Sequence, residues 1–107
     1  MEQRKHPRMV VYGMTIDVSD GIGCCSGVVC DVSRVGMCLA DLARKFGKKT
    51  NTYTVVASKA GRNFKFRVRP RWEVAGRLHK KVGVEIYEAP RQWTEYVLSL
   101  ESGQRKQ

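Results

Sequence analysis

Apolar and polar residues alternate over most of this chain with a period of two. Val10, Tyr12, Met14, Ile16 and Val18 are interleaved with Val11, Gly13, Thr15 and Asp17, the pattern of one long strand with a single buried face. The run Ser19, Asp20, Gly21, Ile22, Gly23 supplies turn chemistry. Alternation returns over residues 27–33, with Val28, Cys30 and Val32 on one face and Val29, Asp31 and Ser33 on the other. Gly36 breaks it, and residues 37–40 read as a short continuation. Residues 41–46 fit one helical turn closed by Gly47. A further strand over residues 52–57 puts Tyr53, Val55 and Ala57 together, ahead of a turn at Gly61. Next, Phe64, Phe66, Val68, Trp72 and Val74 alternate with Lys65, Arg67, Arg69, Arg71 and Glu73. Pro70, inside that run, lacks a ladder donor and predicts a bulge or an edge. Val82, Val84 and Ile86 mark a last short strand.

The period then changes to that of a helix. Pro90 suits a first helical turn, and Trp93, Tyr96, Val97 and Leu100 follow at i, i+3, i+4 and i+7, predicting an amphipathic helix over about residues 90–102 that ends near Ser102 and Gly103. Its aromatic stripe is expected to pack on the sheet, since such a helix must bury its apolar face. Six or seven strands and one terminal helix predict a mainly β fold, a small antiparallel barrel or rolled sheet with the helix over an open end.

At 107 residues, 42% of them hydrophobic, the chain accommodates one domain with a real core. No apolar run reaches the roughly 18 to 20 residues of a membrane-spanning helix, and the charged N-terminus lacks the apolar stretch of a signal peptide, so a soluble, cytoplasmic protein without membrane insertion is expected. In that reducing setting Cys24, Cys25, Cys30 and Cys38 are expected as free thiols. The formal charge of +10 is unevenly spread: between positions 44 and 81 thirteen basic residues stand against one acid, Glu73. Such a field attracts polyanions or phosphorylated ligands, although a solvated basic face reads the same way.

Several chemistries are set aside. The cysteine spacing C-C-x4-C-x7-C lacks the short-gap pairs of structural zinc sites, and His6 and His79 lie far from it, so no metal is expected. Neither a phosphate-binding G-x-x-x-x-G-K-[ST] loop nor a G-x-G-x-x-G is present, and no Ser-His-Asp arrangement is visible. No enzyme activity and no cofactor are expected.

Two short constellations remain. Arg4, Lys5, His6, Pro7, Arg8 is an R-x-x-x-R just before the first strand, and Asp31, Val32, Ser33, Arg34, Val35, Gly36 is a D-x-S-x-x-G at a strand end. In this order, on a β-rich chain of this length ending in one helix, they resemble the PilZ domain family, the cyclic di-GMP receptors of bacteria. The Arg71-Trp72 strand, the Val82-Gly83-Val84-Glu85 strand and the terminal helix fall in the order of that family too. The resemblance implies a six-stranded antiparallel PilZ-type barrel with one C-terminal helix. It also implies cyclic di-GMP binding by Arg4, Arg8, Asp31, Ser33 and Gly36, with Lys5 and Gly83 as secondary contacts. Many relatives have a second arginine where this chain has Lys5, a position that bears on whether one ligand or a stacked pair is bound. Residues 1–8 are then a flexible ligand-binding segment, residues 9–103 the barrel and helix, and residues 104–107 a disordered tail.

The residue chemistry suits that ligand. An arginine fork can bond guanine O6 and N7, pair with phosphate or stack on a base, whereas lysine does only part of this. A carboxylate accepts from guanine N1-H and N2-H, a use for Asp31 in a basic site. Asp31 and Ser33, two apart on a strand, are expected on one face, and Gly36 would permit a conformation or close approach that a Cβ blocks. Arg4 and Arg8 as a plain basic tail, and Asp31 and Ser33 as turn formers, are the structural readings of the same residues. Two other functions stay open: a barrel binding nucleic acid through the basic row with Trp72 or Tyr53 stacking on bases, and a PilZ-like adaptor that binds only protein. On the receptor reading, a downstream protein partner reads the bound state.

Overall fold

The computed structural model describes residues 7–47 and 50–105. Arg4 and Lys5, and the last two residues of the expected tail, lie outside that set. Seven strands, β1 (Met9–Val10), β2 (Thr15–Ser19), β3 (Cys24–Val32), β4 (Gly36–Ala43), β5 (Tyr53–Lys59), β6 (Arg62–Ala75) and β7 (His79–Glu88), precede one helix, α1 (Arg91–Arg105). All strand pairs are antiparallel; the ring runs β3-β2-β5-β6-β7-β4, and β4 returns to β3 to close it. β1 shares an edge of β3 with β2, β2 pairing residues 24–28 and β1 pairing Asp31 and Val32. Seven strands thus fill six positions, and the six-stranded antiparallel barrel with one C-terminal helix is the observed architecture.

The inside of the ring is filled by Met14, Ile16 and Val18 from β2 and its approach, Met37, Leu39 and Leu42 from β4, Tyr53, Val55 and Ala57 from β5, Phe64, Phe66 and Val68 from β6, and Val82 and Val84 from β7. At one end α1 inserts Trp93 and Val97 into this cluster. The Trp93 ring meets Phe66 edge-on at 4.6 Å and Phe64 at 5.3 Å, the tilted geometry that aromatic quadrupoles favour. The opposite end carries the β2–β3 turn, the β4–β5 connection and the β6–β7 turn. There Phe46 closes the core, and the buried Lys80 ammonium donates to the Phe46 carbonyl and, at 2.9 Å, to Glu73 Oε1. A cation is tolerated in that position because both bonds satisfy it as it leaves water.

The structure differs from the sequence pattern at four places, each where the backbone departs from regular alternation. The expected strand from Val10 to Val18 is interrupted: Gly13 has φ of 75°, and the inward parity changes across it. Met9 and Val11 point in on one side of the break and Met14, Ile16 and Val18 on the other, which leaves Val10 62% and Tyr12 79% exposed. In β3 a bulge between Val29 and Asp31 makes Val29 and Val32, three residues apart, the buried pair, and Val28 faces out. β3 also begins at Cys24, before the expected start. Residues 41–46 form no helical turn; β4 runs to Ala43 across an irregularity between Leu39 and Leu42 where Asp41 has φ of 61°, and a turn follows. A six-residue segment has too few internal bonds to nucleate a helix when the neighbouring strand β7 offers it a ladder. β6 is continuous through Pro70, and the bulge expected there lies between Pro70 and Trp72. Beyond it the inward apolar face is lost, and Trp72 and Val74 are exposed.

Helix α1 continues to Arg105, past the expected stop at Ser102 and Gly103. Among the described residues no helix is long and apolar enough to cross a membrane. Because Trp93 is the largest fully buried side chain of the helix, Trp93→Ala is expected to lower unfolding free energy by about 3 to 5 kcal/mol in chemical denaturation, whereas Leu98→Ala, on the exposed face, should stay within about 0.5 kcal/mol.

Candidate functional site

The β3 bulge is where the site begins. It inserts Cys30 so that Cys30 and Asp31 together oppose Cys38 of β4, while Val29 and Val32 fill the core. Asp31 therefore emerges on the outer surface of the barrel. The pairing continues sideways, Val10 with Asp31, Asp31 with Cys38, Cys38 with Gly83 and Gly83 with Trp72. Three strand spacings of about 4.8 Å separate Asp31 from Trp72, a strip about 14 Å wide.

At one end of the strip Arg8, just before β1, reaches Asp31: its Nη1 donates to Asp31 Oδ1 at 3.2 Å, both side chains remaining partly exposed. The R-x-x-x-R and D-x-S-x-x-G segments, 23 residues apart, are thus joined by their own charged members. At the other end the Trp72 indole lies against Gly83 so closely that a Cβ on Gly83 would collide with its ring atoms, and the indole is 41% exposed. Arg71 pairs with Glu85 at 3.4 Å beside it.

Ser33 and Gly36 do different work from Asp31. The buried Ser33 hydroxyl accepts from the N-H groups of Val35 at 3.3 Å and Gly36 at 3.1 Å, and Ser33 N-H donates to the Gly36 carbonyl at 2.8 Å. Its hydroxyl is committed to the turn, so Asp31 and Ser33 do not form the single polar face expected of neighbours on a regular strand. Gly36 is needed for close approach: an added Cβ would lie 2.7 Å from the Val84 carbonyl oxygen. The turn is pinned twice more. Ile86 N-H donates to the Val35 carbonyl at 2.8 Å, and the Arg34 guanidinium grips the buried Glu101 carboxylate of α1 with two bonds, of 2.9 and 2.8 Å. The side-chain bonds to Glu101 hold the Arg34 pKa above its ordinary value.

Cys38 is buried on this strip, outside the contiguous hydrophobic cluster. Desolvation, with the Cys30 thiol beside it, pushes its thiol up to about 12. Among the described residues no cluster of His, Cys, Asp and Glu could hold a metal ion. The cations of β6 are partly engaged, Arg69 and Arg67 lying 4.2 and 6.0 Å from the Tyr87 ring centroid. Of the residues singled out in the sequence, Arg8 and Asp31 share one surface, Gly83 is buried beneath the Trp72 indole, Ser33 and Gly36 hold the adjoining turn, and Arg4 and Lys5 lie outside the described residues. The Trp72-Gly83 contact was missed as a unit; the bulge signalled by Pro70 was its one trace in the sequence.

No protein-family model and no curated protein matches this sequence. Solved structures share its fold, among them the following two. The Inhibitor of motility (MotI/DgrA) of Bacillus subtilis superposes with a TM-score of 0.76 at 11% identity, over 98% of this chain and 52% of that one. The PlzA protein of Borreliella burgdorferi, solved in complex with c-di-GMP, superposes with a TM-score of 0.67 at 18% identity, over 94% of this chain and 52% of that one. This chain spans about half the length of each, and the shared part is the PilZ-type barrel expected from the motifs.

Thiol chemistry tests the burial of the strip. At pH 8 a thiol reagent should modify the exposed Cys24 first and leave Cys38 unmodified until the protein is unfolded, as read by mass spectrometry. A second check is Gly83→Ala, which should displace the Trp72 indole and shift its emission to longer wavelength while far-ultraviolet circular dichroism is unchanged.

Proposed function

We propose that this chain is a non-enzymatic receptor for cyclic di-GMP, a cytoplasmic protein that passes ligand binding on to a protein partner. The observation that carries the reading is the Arg8–Asp31 pair on the outer face of β3, at one end of a strip that Trp72 flanks at the other. A guanidinium beside a carboxylate presents donors and acceptors side by side. Arg8, using one N-H on Asp31, keeps four further donors for guanine O6 and N7 or for phosphate, and Asp31 keeps lone pairs for N1-H and N2-H. The indole, held flat on Gly83, offers a stacking face to a second base.

The residues then divide by role. Arg8 and Asp31 read one guanine, Arg8 alone of the two supplies charge for phosphate, Trp72 stacks, and Ser33 and Gly36 hold the turn that sets the position of Asp31. Arg4 and Lys5, of the same N-terminal motif, are the further candidates for phosphate. PlzA, solved with c-di-GMP, supports the reading by sharing the fold. Nucleic acid is the weaker candidate for the basic face, since Arg67, Arg69 and Arg71 already have partners on β7.

Calorimetric titration with cyclic di-GMP should give saturable binding. Arg8→Ala is expected to weaken it at least about tenfold, because a lost charge-assisted bond is worth about 1.5 to 3 kcal/mol, with little change in melting temperature. Unaltered affinity in that variant would falsify the assignment. Trp72→Ala should cost about 1 to 3 kcal/mol of binding through lost stacking. Base reading is tested by comparing ligands: cyclic di-AMP, with the same phosphates but without the N1-H and N2-H pair, should bind far more weakly, and Asp31→Ala should erase most of that preference. Charge alone predicts the opposite for the last variant, since removing an acid strengthens attraction for any dianion.

A further inference from the structure

The barrel end remote from α1 carries two aliphatic side chains that are almost wholly in water and are held there by structured turns. Asp20 Oδ1 accepts from the N-H groups of Ile22 at 2.8 Å and Gly23 at 2.7 Å, and these bonds hold Asp20 ionised by lowering its pKa. The resulting turn presents Ile22 81% exposed. On the β6–β7 turn, Arg44 N-H donates to the Leu78 carbonyl at 3.2 Å and its guanidinium to the Arg77 carbonyl at 3.4 Å, and Leu78 is 78% exposed. Two adjoining clefts lie between the tips, one of about 420 Å³ bordered by Ile22 and Phe46 and one of about 600 Å³ bordered by Leu78 and Arg77; Ala43 and Lys45 line both.

Arg44, Lys45 and Arg77 line these clefts. The acids near this end are Asp20, whose carboxylate is used by its own turn, Asp41, and Glu73, which is bonded to Lys80. Convex apolar tips separated by a basic cleft suit a lipid surface better than a folded partner. A protein interface needs a contiguous complementary patch of about 800 Å² per partner. A bilayer needs only apolar tips at headgroup depth with cations behind them, because its anionic lipids are mobile and gather under the charge. The tips are already ordered, so docking immobilises little.

We infer that this end of the barrel docks peripherally on anionic lipid membranes, with Ile22 and Leu78 entering the headgroup layer and Arg44, Lys45 and Arg77 contacting lipid phosphate. The chain lies on the membrane without spanning it. This surface is separate from the Arg8–Asp31 strip and does not depend on what that strip binds.

The test is co-sedimentation of the full chain with vesicles of phosphatidylcholine alone and of phosphatidylcholine mixed with phosphatidylglycerol. Binding is expected only to the mixed vesicles. Ile22→Ser combined with Leu78→Ser should weaken it about tenfold or more at unchanged charge, and Tyr12→Ser, an equally exposed residue between β1 and β2 and outside these turns, should leave it unchanged. Lys45→Glu combined with Arg77→Glu should abolish it. Absence of binding to the mixed vesicles overturns the inference. So does binding that the Ile22/Leu78 double variant retains in full, which is what bulk attraction of a +10 chain would give. Self-association that the double variant abolishes, without vesicle binding, assigns the tips to a second copy of the chain and likewise overturns it.

Discussion

A closed ring of strands has only one inside. In an open sheet an out-of-step residue can shift to the solvent side of an edge, but in this six-position barrel each of β2 to β7 is paired on both edges and each side chain faces either the core or the surface. Where the sequence places two apolar residues three apart, as with Val29 and Val32, the backbone must absorb the extra residue. Here it does so at Gly13, at the Cys30 bulge, around Asp41 and between Pro70 and Trp72. These irregularities keep the core apolar, and two of them shape the candidate site. The Cys30 bulge brings Asp31 out beside Arg8, and the Pro70-Trp72 bulge precedes the indole that lies on Gly83.

The same constraint explains which features were legible in the sequence. Regular alternation was read correctly wherever the backbone is regular: Met14, Ile16 and Val18, Tyr53, Val55 and Ala57, and Phe64, Phe66 and Val68 all point inward as their period requires. Period two does not carry through the break at Gly13, so Val10 and Tyr12 face solvent although they are in step with Met14, Ile16 and Val18. Pro70 announced its bulge because it lacks an N-H; Cys30 carries no such mark, and only the burial of Val29 and Val32 in the folded ring reveals it. Residues 41–46 looked helical because a short segment has little period to read, and the pairing with β7 that decides its state comes from about forty residues further along the chain.

The candidate site was legible as residue types and not as geometry. Arg8 and Asp31 could be named from their motifs, and their contact follows from β1 pairing with the end of β3. Ser33 carried two readings, ligand contact and turn former, and its bonds to Val35 and Gly36 favour the second. Arg34, an unspecified position of the motif, escaped notice although it makes the two-bond grip on Glu101 that joins the turn to α1. Such a contact depends on a carboxylate 67 residues away, and no local pattern reports it.

The two tryptophans divide between the interior and the surface. Trp93 is enclosed by Phe64 and Phe66, whereas Trp72 rests on Gly83 with two-fifths of its surface in water. An indole in an apolar cage emits towards the blue and a hydrated one towards the red, so the protein carries an internal optical reference alongside an optical probe. Events on the outer strip fall on the red edge of the spectrum, and loosening of the helix-covered end falls on the blue edge. Without any added label, the emission profile separates occupancy of the surface from opening of the core.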